Sequence, residues 1–243
     1  MKLRIKFTKH GALRYIGHLD IQRYFQRLNR RAGLNMIYTE GFSPHQKMSF
    51  AMPLSVGYES DAEYFDIEVY SAGSSKTVID SMNANQADGI TVTGCVLLPE
   101  KAQNAMASVR AADYTVRFRK GYEPDFDIRN AIDRFNESDE FIIKKINKKA
   151  NKKKNRRENS SQDNVTYKEI DLKQYVHTLE YPDEGTVFMR VSAGSADNVK
   201  PELVVNALYE REDKVPDPMA LKITRTELYT DDLKPLIEVG SVF

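Results

Sequence analysis

The first hundred residues switch repeatedly between two hydrophobic periods, and that switching limits the available folds more than any other feature. Leu3-Arg4-Ile5-Lys6-Phe7 alternates apolar and charged residues, the period of a half-buried strand. From His18 to Ala32 the apolar residues Ile21, Phe25, Leu28 and Ala32 recur at spacings of four, three and four, which draws one stripe along a helix. Gly33 stands where a helix cap is expected, and Arg30 and Arg31 suit the negative end of the dipole. Leu34 to Thr39 reads as strand. Another strand is expected after the turn-rich stretch GFSPHQK, reaching about Leu54 or Val56. Glu63 to Val69 alternates strictly, Ser74 to Ala87 has helical spacing ended by Gly89, and Ile90 to Leu98 is again strand. The order β-α-β-β-α-β is that of a ferredoxin-like split βαβ unit, an antiparallel sheet with two helices on one face.

The second half repeats that order with extra strand material. Ala112 to Arg119 is a strand, Asp125 to Asn136 a helix and Glu140 to Ile146 a strand. Thr166 to Leu172, His177 to Tyr181 and Thr186 to Val191 are β-like, Val199 to Tyr209 is helical, and Leu221 to Tyr229 is a last strand. The fold expected is therefore α+β, two tandem ferredoxin-like units over residues 1–100 and 109–243, joined by PEKAQNAMAS. Between Lys148 and Asn164 the only apolar residue is one alanine, so a basic disordered loop is expected there.

Composition narrows the chemistry. The single cysteine, Cys95, rules out an internal disulfide framework and any paired-thiol metal site, and its apolar neighbours mark it as a small buried hydrophobe. No apolar run approaches the ~20 residues needed to cross a bilayer. The opening MKLRIKFTKHG has no continuous apolar segment, so a cytoplasmic location is expected. Net charge is +1 but segregated: residues 1–60 carry ten Lys and Arg against three acids, and residues 144–157 carry nine against none. Such asymmetry points to an anionic partner.

Three sets of residues carry the functional expectation. Arg23, Arg27 and either Arg30 or Arg31 recur at helical spacing, on a flank of the face that buries Phe25 and Leu28, and suit successive phosphates. Tyr15, Tyr24 and Phe42 offer rings for base stacking. Ser43, His45 and Lys47 alternate onto one face opposite Met48 and Phe50, beside exposed backbone N–H groups, and suit an anion. Gly41, Pro44, Pro53 and Gly57 also suit plain corner-making, and Glu59, Ser60 and Glu63 read as a solvated turn. His18 and Asp20 are candidate acid/base groups or ligands. At i and i+2 on a helix, however, they diverge by about 200°, and Asp20 fits the first turn on dipole grounds alone. No nucleophile elbow, phosphate loop or zinc signature occurs, so no metal site, no cofactor and no independent catalysis are expected.

Residues 13–69, LRYIGHLDIQRYFQRLNRRAGLNMIYTEGFSPHQKMSFAMPLSVGYESDAEYFDIEV, resemble the radical-SAM-linked conserved hypothetical family, a bacterial domain of unknown function. The match is dense over about the first 70 residues and thins to positions such as Glu169-Ile170-Asp171-Leu172 beyond. The resemblance implies a radical SAM protein as partner, since family members sit beside or fused to such proteins, often near ribosomal genes. This chain has no radical SAM part, because one cysteine cannot supply the three ligands of that cluster. The expectation is an RNA-binding accessory, or substrate-presenting partner, of a radical SAM enzyme acting in RNA or ribosome modification. The alternatives are a metal-independent RNA-processing enzyme using His45 or His18, and a purely protein–protein interaction module.

Overall fold

The computed structural model describes residues 1–146, 167–195 and 197–243. The expected basic loop at 148–164 lies outside the described residues. Alternation in β1 (Lys2–Lys9) sends Leu3, Ile5 and Phe7 into a core where none is more than 1% exposed. On α1 (His18–Arg31) the predicted stripe is the buried one, with Ile21, Phe25 and Leu28 facing inward. Gly33, at φ +70°, turns the chain out of α1 so that Leu34 N donates to Asn29 O at 3.0 Å, the left-handed turn a Cβ would oppose.

The remaining strands of the first half are β2 (Met48–Phe50), β3 (Glu59–Glu68) and β4 (Ile90–Leu97), with α2 (Ser75–Asn83) between the last two. The second half holds β5 (Ala111–Phe118), α4 (Ile128–Glu137), the hairpin of β6 (Ile142–Ile146) and β7 (Tyr167–Asp171), then β8 (Val176–Asp183), β9 (Thr186–Ser192), α5 (Pro201–Arg211) and β10 (Leu221–Tyr229). The connector contains a single turn, α3 (Ala105–Ser108), capped by Asn104.

Strand pairing follows the order β4-β1-β3-β10-β5-β9-β8, with β2 also on β3, in one mostly antiparallel eight-stranded sheet; β6 and β7 form a separate ribbon. The first half places its strands in the order fourth, first, third, second, and β10-β5-β9-β8 repeats that order in the second half. Two separate antiparallel sheets were expected. Instead a short parallel pairing, Thr224 with Glu59 and Arg225 with Ser60, fuses the halves edge to edge. Both β2 and β10 use the edge of β3 that β1 leaves free, β2 at Phe65–Ile67 and β10 at Glu59–Ser60. This division explains why β2 stops at Phe50, short of the expected Leu54 or Val56. Pro53 has no donor to continue the ladder, and β10 takes over the edge. The expected strand at Leu34–Thr39 is reduced to two isolated bridges, Met36 with Val69 and Tyr38 with Gln46.

Two hydrophobic clusters underlie the halves. In the first, Phe7, Phe25, Phe50 and Phe65 pack ring against ring, with Phe25 4.5 Å from both Phe7 and Phe65. In the second, Ile132 and Phe135 of α4 and Val204 and Leu208 of α5 share a core with Val116, Val187 and Met189 of the sheet. Full burial of each such side chain is worth roughly 1.5–3 kcal/mol. Cys95 is buried, and burial pushes its thiol up to about 12.

Glu59, Ser60 and Glu63 are not a solvated turn. All three lie in β3, at 8%, 0% and 4% exposure. Ser60 Oγ donates to Arg225 O at 3.1 Å, and Glu63 pairs with the Arg225 guanidinium. A charged sequence reads as surface unless its partner is known, and here the partner is 162 residues away.

Candidate nucleic-acid interface

The arginines of α1 divide between two sides. Arg23, Arg27 and Arg30 are exposed. At 3.6 residues per turn they fall within about 60° of one another, opposite the buried stripe. The ridge therefore faces straight out, not along a flank of the buried face. Arg23 lies 3.7 Å from Asp20 in an exposed i,i+3 pair, of the kind worth little in water. Arg27 and Arg30 have no ion-pair partner among the described residues. Arg31 turns away and donates to Asn85 O at 3.0 Å, so the third cation of the ridge is Arg30.

Beside the ridge stands a narrow hairpin built from residues 36–48. Tyr38 bridges Gln46, and Lys47 N donates to Ile37 O at 2.9 Å. Gln46 is the inward residue: its amide donates to Gln26 O at 3.0 Å and its carbonyl accepts from Asn29 Nδ2 at 3.0 Å, which locks the hairpin against α1. Gly41, at φ +106°, makes the tip possible. His45 and Lys47 are exposed on either side of the buried Gln46, whereas Ser43 lies in the turn, where residues 41–45 are all exposed and no alternation holds. Their backbone surroundings are less open than expected. His45 N donates to Thr39 Oγ1 at 3.1 Å, His45 Nδ1 lies 3.1 Å from the same hydroxyl, and Lys47 Nζ sits 3.4 Å from Glu68.

Phe42, at the tip, is 111% exposed, more open than an extended-chain reference. Tyr15 is also exposed but lies against Arg14, 4.8 Å from ring centroid to guanidinium. Tyr24 is not free to stack on a base, because its hydroxyl accepts from Ala87 N at 2.9 Å and its ring packs on Phe25.

The histidines do not converge. His18 begins α1 after the Gly17 cap, half-buried with its ring edge-on to Phe50 at 5.3 Å. Burial pushes its imidazole below the ordinary value; Glu63 opposes that shift and the Lys9 ammonium adds to it. His45 belongs to the hairpin anchored at Gln26 and Asn29, which lie about 12–16 Å further along α1 by helical rise. Asp20 serves the first turn, as dipole grounds suggest.

A second feature was not anticipated. Where the halves meet, a cleft of about 500 Å³ opens between the Ala51–Ser55 segment, α3 and the approach to α5, with Tyr58, Tyr114 and Arg225 among its lining residues. Its residues come from five separate stretches of sequence, so no local pattern announces it. One signal was available: Arg225 occupies an inward position of β10, in step with Leu221 and Ile223, where a charge demands a buried partner.

Among the described residues no helix is long and apolar enough to cross a membrane. No curated protein matches the chain at a significant level. The family model that does match covers residues 2–201, taking in α1, the hairpin and most of the cleft. The chain thus belongs to the family described as an uncharacterized protein conserved in bacteria (DUF2344).

Proposed function

We propose that the chain is an RNA-binding accessory that presents its substrate to a radical SAM enzyme, with no cofactor of its own, built as a tandem pair of ferredoxin-like units. The repeated strand order supports the architectural part of this reading. The partner is supported by the resemblance of residues 13–69. One observation carries the RNA part: Arg23, Arg27 and Arg30 face solvent beside a hairpin whose tip holds Phe42 clear of the core. Cations along a ridge neutralise phosphates, and an exposed ring offers a stacking surface for an unpaired base. Sheets of this kind serve as RNA platforms. The turn at Gly41 then has a purpose beyond the corner it makes: it projects a ring into solvent.

Fluorescence anisotropy with a labelled RNA stem-loop carrying an unpaired loop tests the reading. The wild-type chain is expected to bind, and the Arg23→Ala/Arg27→Ala/Arg30→Ala variant to bind at least tenfold more weakly, since each lost phosphate contact removes a salt-dependent share of the affinity. Equal binding by the two would overturn it. For the partner, affinity capture with the tagged chain from a bacterium that carries it is expected to recover a radical SAM protein, and recovery of none would remove that part.

A further inference from the structure

We propose that the sheet of the second half, on its side away from α4 and α5, binds single-stranded RNA, with a phosphate at the cross-strand pair Lys222 and Arg117 and a base on Phe188. The choice of RNA as the anion rests on the reading above. The surface itself is a different one: the arginine ridge lies on the outer side of α1, whereas this face is the strand side of the other half.

Alternation decides what each side of that half presents. Tyr114 and Val116 of β5, Val187 and Met189 of β9 and Ile223 of β10 turn into the core shared with α4 and α5. The residues between them, among them Thr115, Arg117, Phe188, Lys222 and Thr224, face the other way. Arg117 and Lys222 are exposed there, and Thr115, Phe188 and Thr224 are half-buried. The first half is closed at the equivalent place. Arg4 and Asp66 alternate with the core residues Leu3, Ile5, Phe65 and Ile67, yet both are buried. Arg4 donates to Gln103 O at 3.1 Å and Leu236 O at 3.2 Å, and Asp66 accepts from Ala105 N at 2.6 Å. The connector and the C-terminal segment thus cover one half and leave the other open.

The charges on the open face call for an anion. Lys222 and Arg117 are directly paired across β10 and β5. Like charges set opposite each other on one face of a sheet repel. Lys222 Nζ lies 3.1 Å from Glu59, but that carboxylate also takes Arg14 at 3.2 Å. Arg117 has no ion-pair partner among the described residues, and its neighbour on β9 is the uncharged Thr186. A phosphate between the two cations replaces their repulsion with charge-assisted hydrogen bonds. Phe188 pairs with Thr115, which puts it diagonal to Arg117 at about 7–8 Å, a separation one nucleotide covers from phosphate to base. Its ring belongs to neither hydrophobic core, so it is free to take a base, as the aromatic rings of RNA-binding sheets do. Thr115 and Thr224, in line with Phe188 on β5 and β10, offer hydroxyls to base edges. Glu180, opposite Phe188 on β8, marks the limit of the surface, because its carboxylate repels phosphate.

Photocrosslinking and anisotropy of the full chain with a labelled single-stranded RNA of about ten nucleotides, mixed in sequence and carrying thiouridine, test the proposal. Mass spectrometry is expected to find the crosslink on the β9 peptide that holds Phe188. Arg117→Ala is expected to weaken binding at least about fivefold and to make the salt slope shallower by about 0.7, the share of one single-strand phosphate. Its Tm is expected not to fall, since the substitution removes a repulsion. Phe188→Leu keeps an apolar side chain without the ring and is likewise expected to weaken binding at least about fivefold. Failure of the short RNA to bind overturns the proposal. So do crosslinks confined to α1 and its hairpin, or wild-type affinity in both Arg117→Ala and Phe188→Leu, and these two results leave the ridge reading standing. The Arg23/Arg27/Arg30 triple variant is expected to keep the β9 crosslink. A β9 crosslink together with unweakened stem-loop binding by that variant overturns the ridge reading alone.

Discussion

Glu63 and Arg225 form a two-point ion pair, Nε to Oε1 at 2.8 Å and Nη2 to Oε2 at 2.5 Å, sealed inside the seam where β3 meets β10. Arg225 also donates to Met52 O at 3.0 Å, so the pair holds the β2–β3 connection as well as the seam. At 4% and 1% exposure neither charge has water to fall back on. Glu63→Gln is therefore expected to destabilise the chain by about 3–5 kcal/mol, the usual penalty for stranding a buried charge. Replacing both, Glu63→Leu with Arg225→Met, is expected to recover most of that loss. Urea denaturation of the three proteins at fixed salt checks the ordering, and a Glu63→Gln variant as stable as wild type would contradict it.

Phe42 has no packing to lose. Phe42→Ala is expected to leave Tm unchanged, because the ring is fully open to solvent. It is expected to weaken binding of an RNA with an unpaired loop by about 1–3 kcal/mol, the range for one base stacked on an aromatic ring. Thermal melts and anisotropy on the same preparations check both halves of the prediction.

His18 adds an acid-side weakness. Its folded pKa is lowered by burial, so between its unfolded value of 6.5 and the lower folded value the unfolded chain binds more protons. Stability from this group is complete above pH 6.5 and is lost as pH falls through the folded pKa. Glu63 opposes the shift and Lys9, itself pushed down by burial, adds to it. His18→Gln is expected to flatten the fall in stability between about pH 7 and 5, measured by urea midpoints at half-unit steps, since an amide does not titrate there. An unchanged slope would exclude His18 as its source.

What the sequence disclosed depended on whether the cause was local. The stripe of Ile21, Phe25 and Leu28 and the alternation around Leu3, Ile5 and Phe7 need no distant partner, and both elements stand where their periods place them. Gly33 likewise acts through its own φ. Glu59, Ser60 and Glu63 were misread because their partners come from β10, Lys222 for Glu59 and Arg225 for Ser60 and Glu63. The parallel seam was invisible for the same reason, since two strands far apart in the chain create it. Helical spacing aligned Arg23 and Arg27 but left Arg30 and Arg31 as alternatives, and the packing of α1 settled both the choice of Arg30 and the way the ridge faces. Tyr24, a candidate base-stacking ring by residue type, is committed to Phe25 and Ala87 by tertiary contacts alone. The cleft, assembled from both halves, had no local signature beyond the inward parity of Arg225.

The salt dependence of RNA binding tests the central claim most directly. The affinity of the wild-type chain for one labelled stem-loop is measured across a series of salt concentrations and compared with that of the Arg23→Ala/Arg27→Ala/Arg30→Ala variant. If the ridge holds successive phosphates, log affinity falls linearly with log salt, and the variant's slope is shallower by about 2–3. Parallel lines for the two proteins, or a wild-type affinity indifferent to salt, would contradict the account.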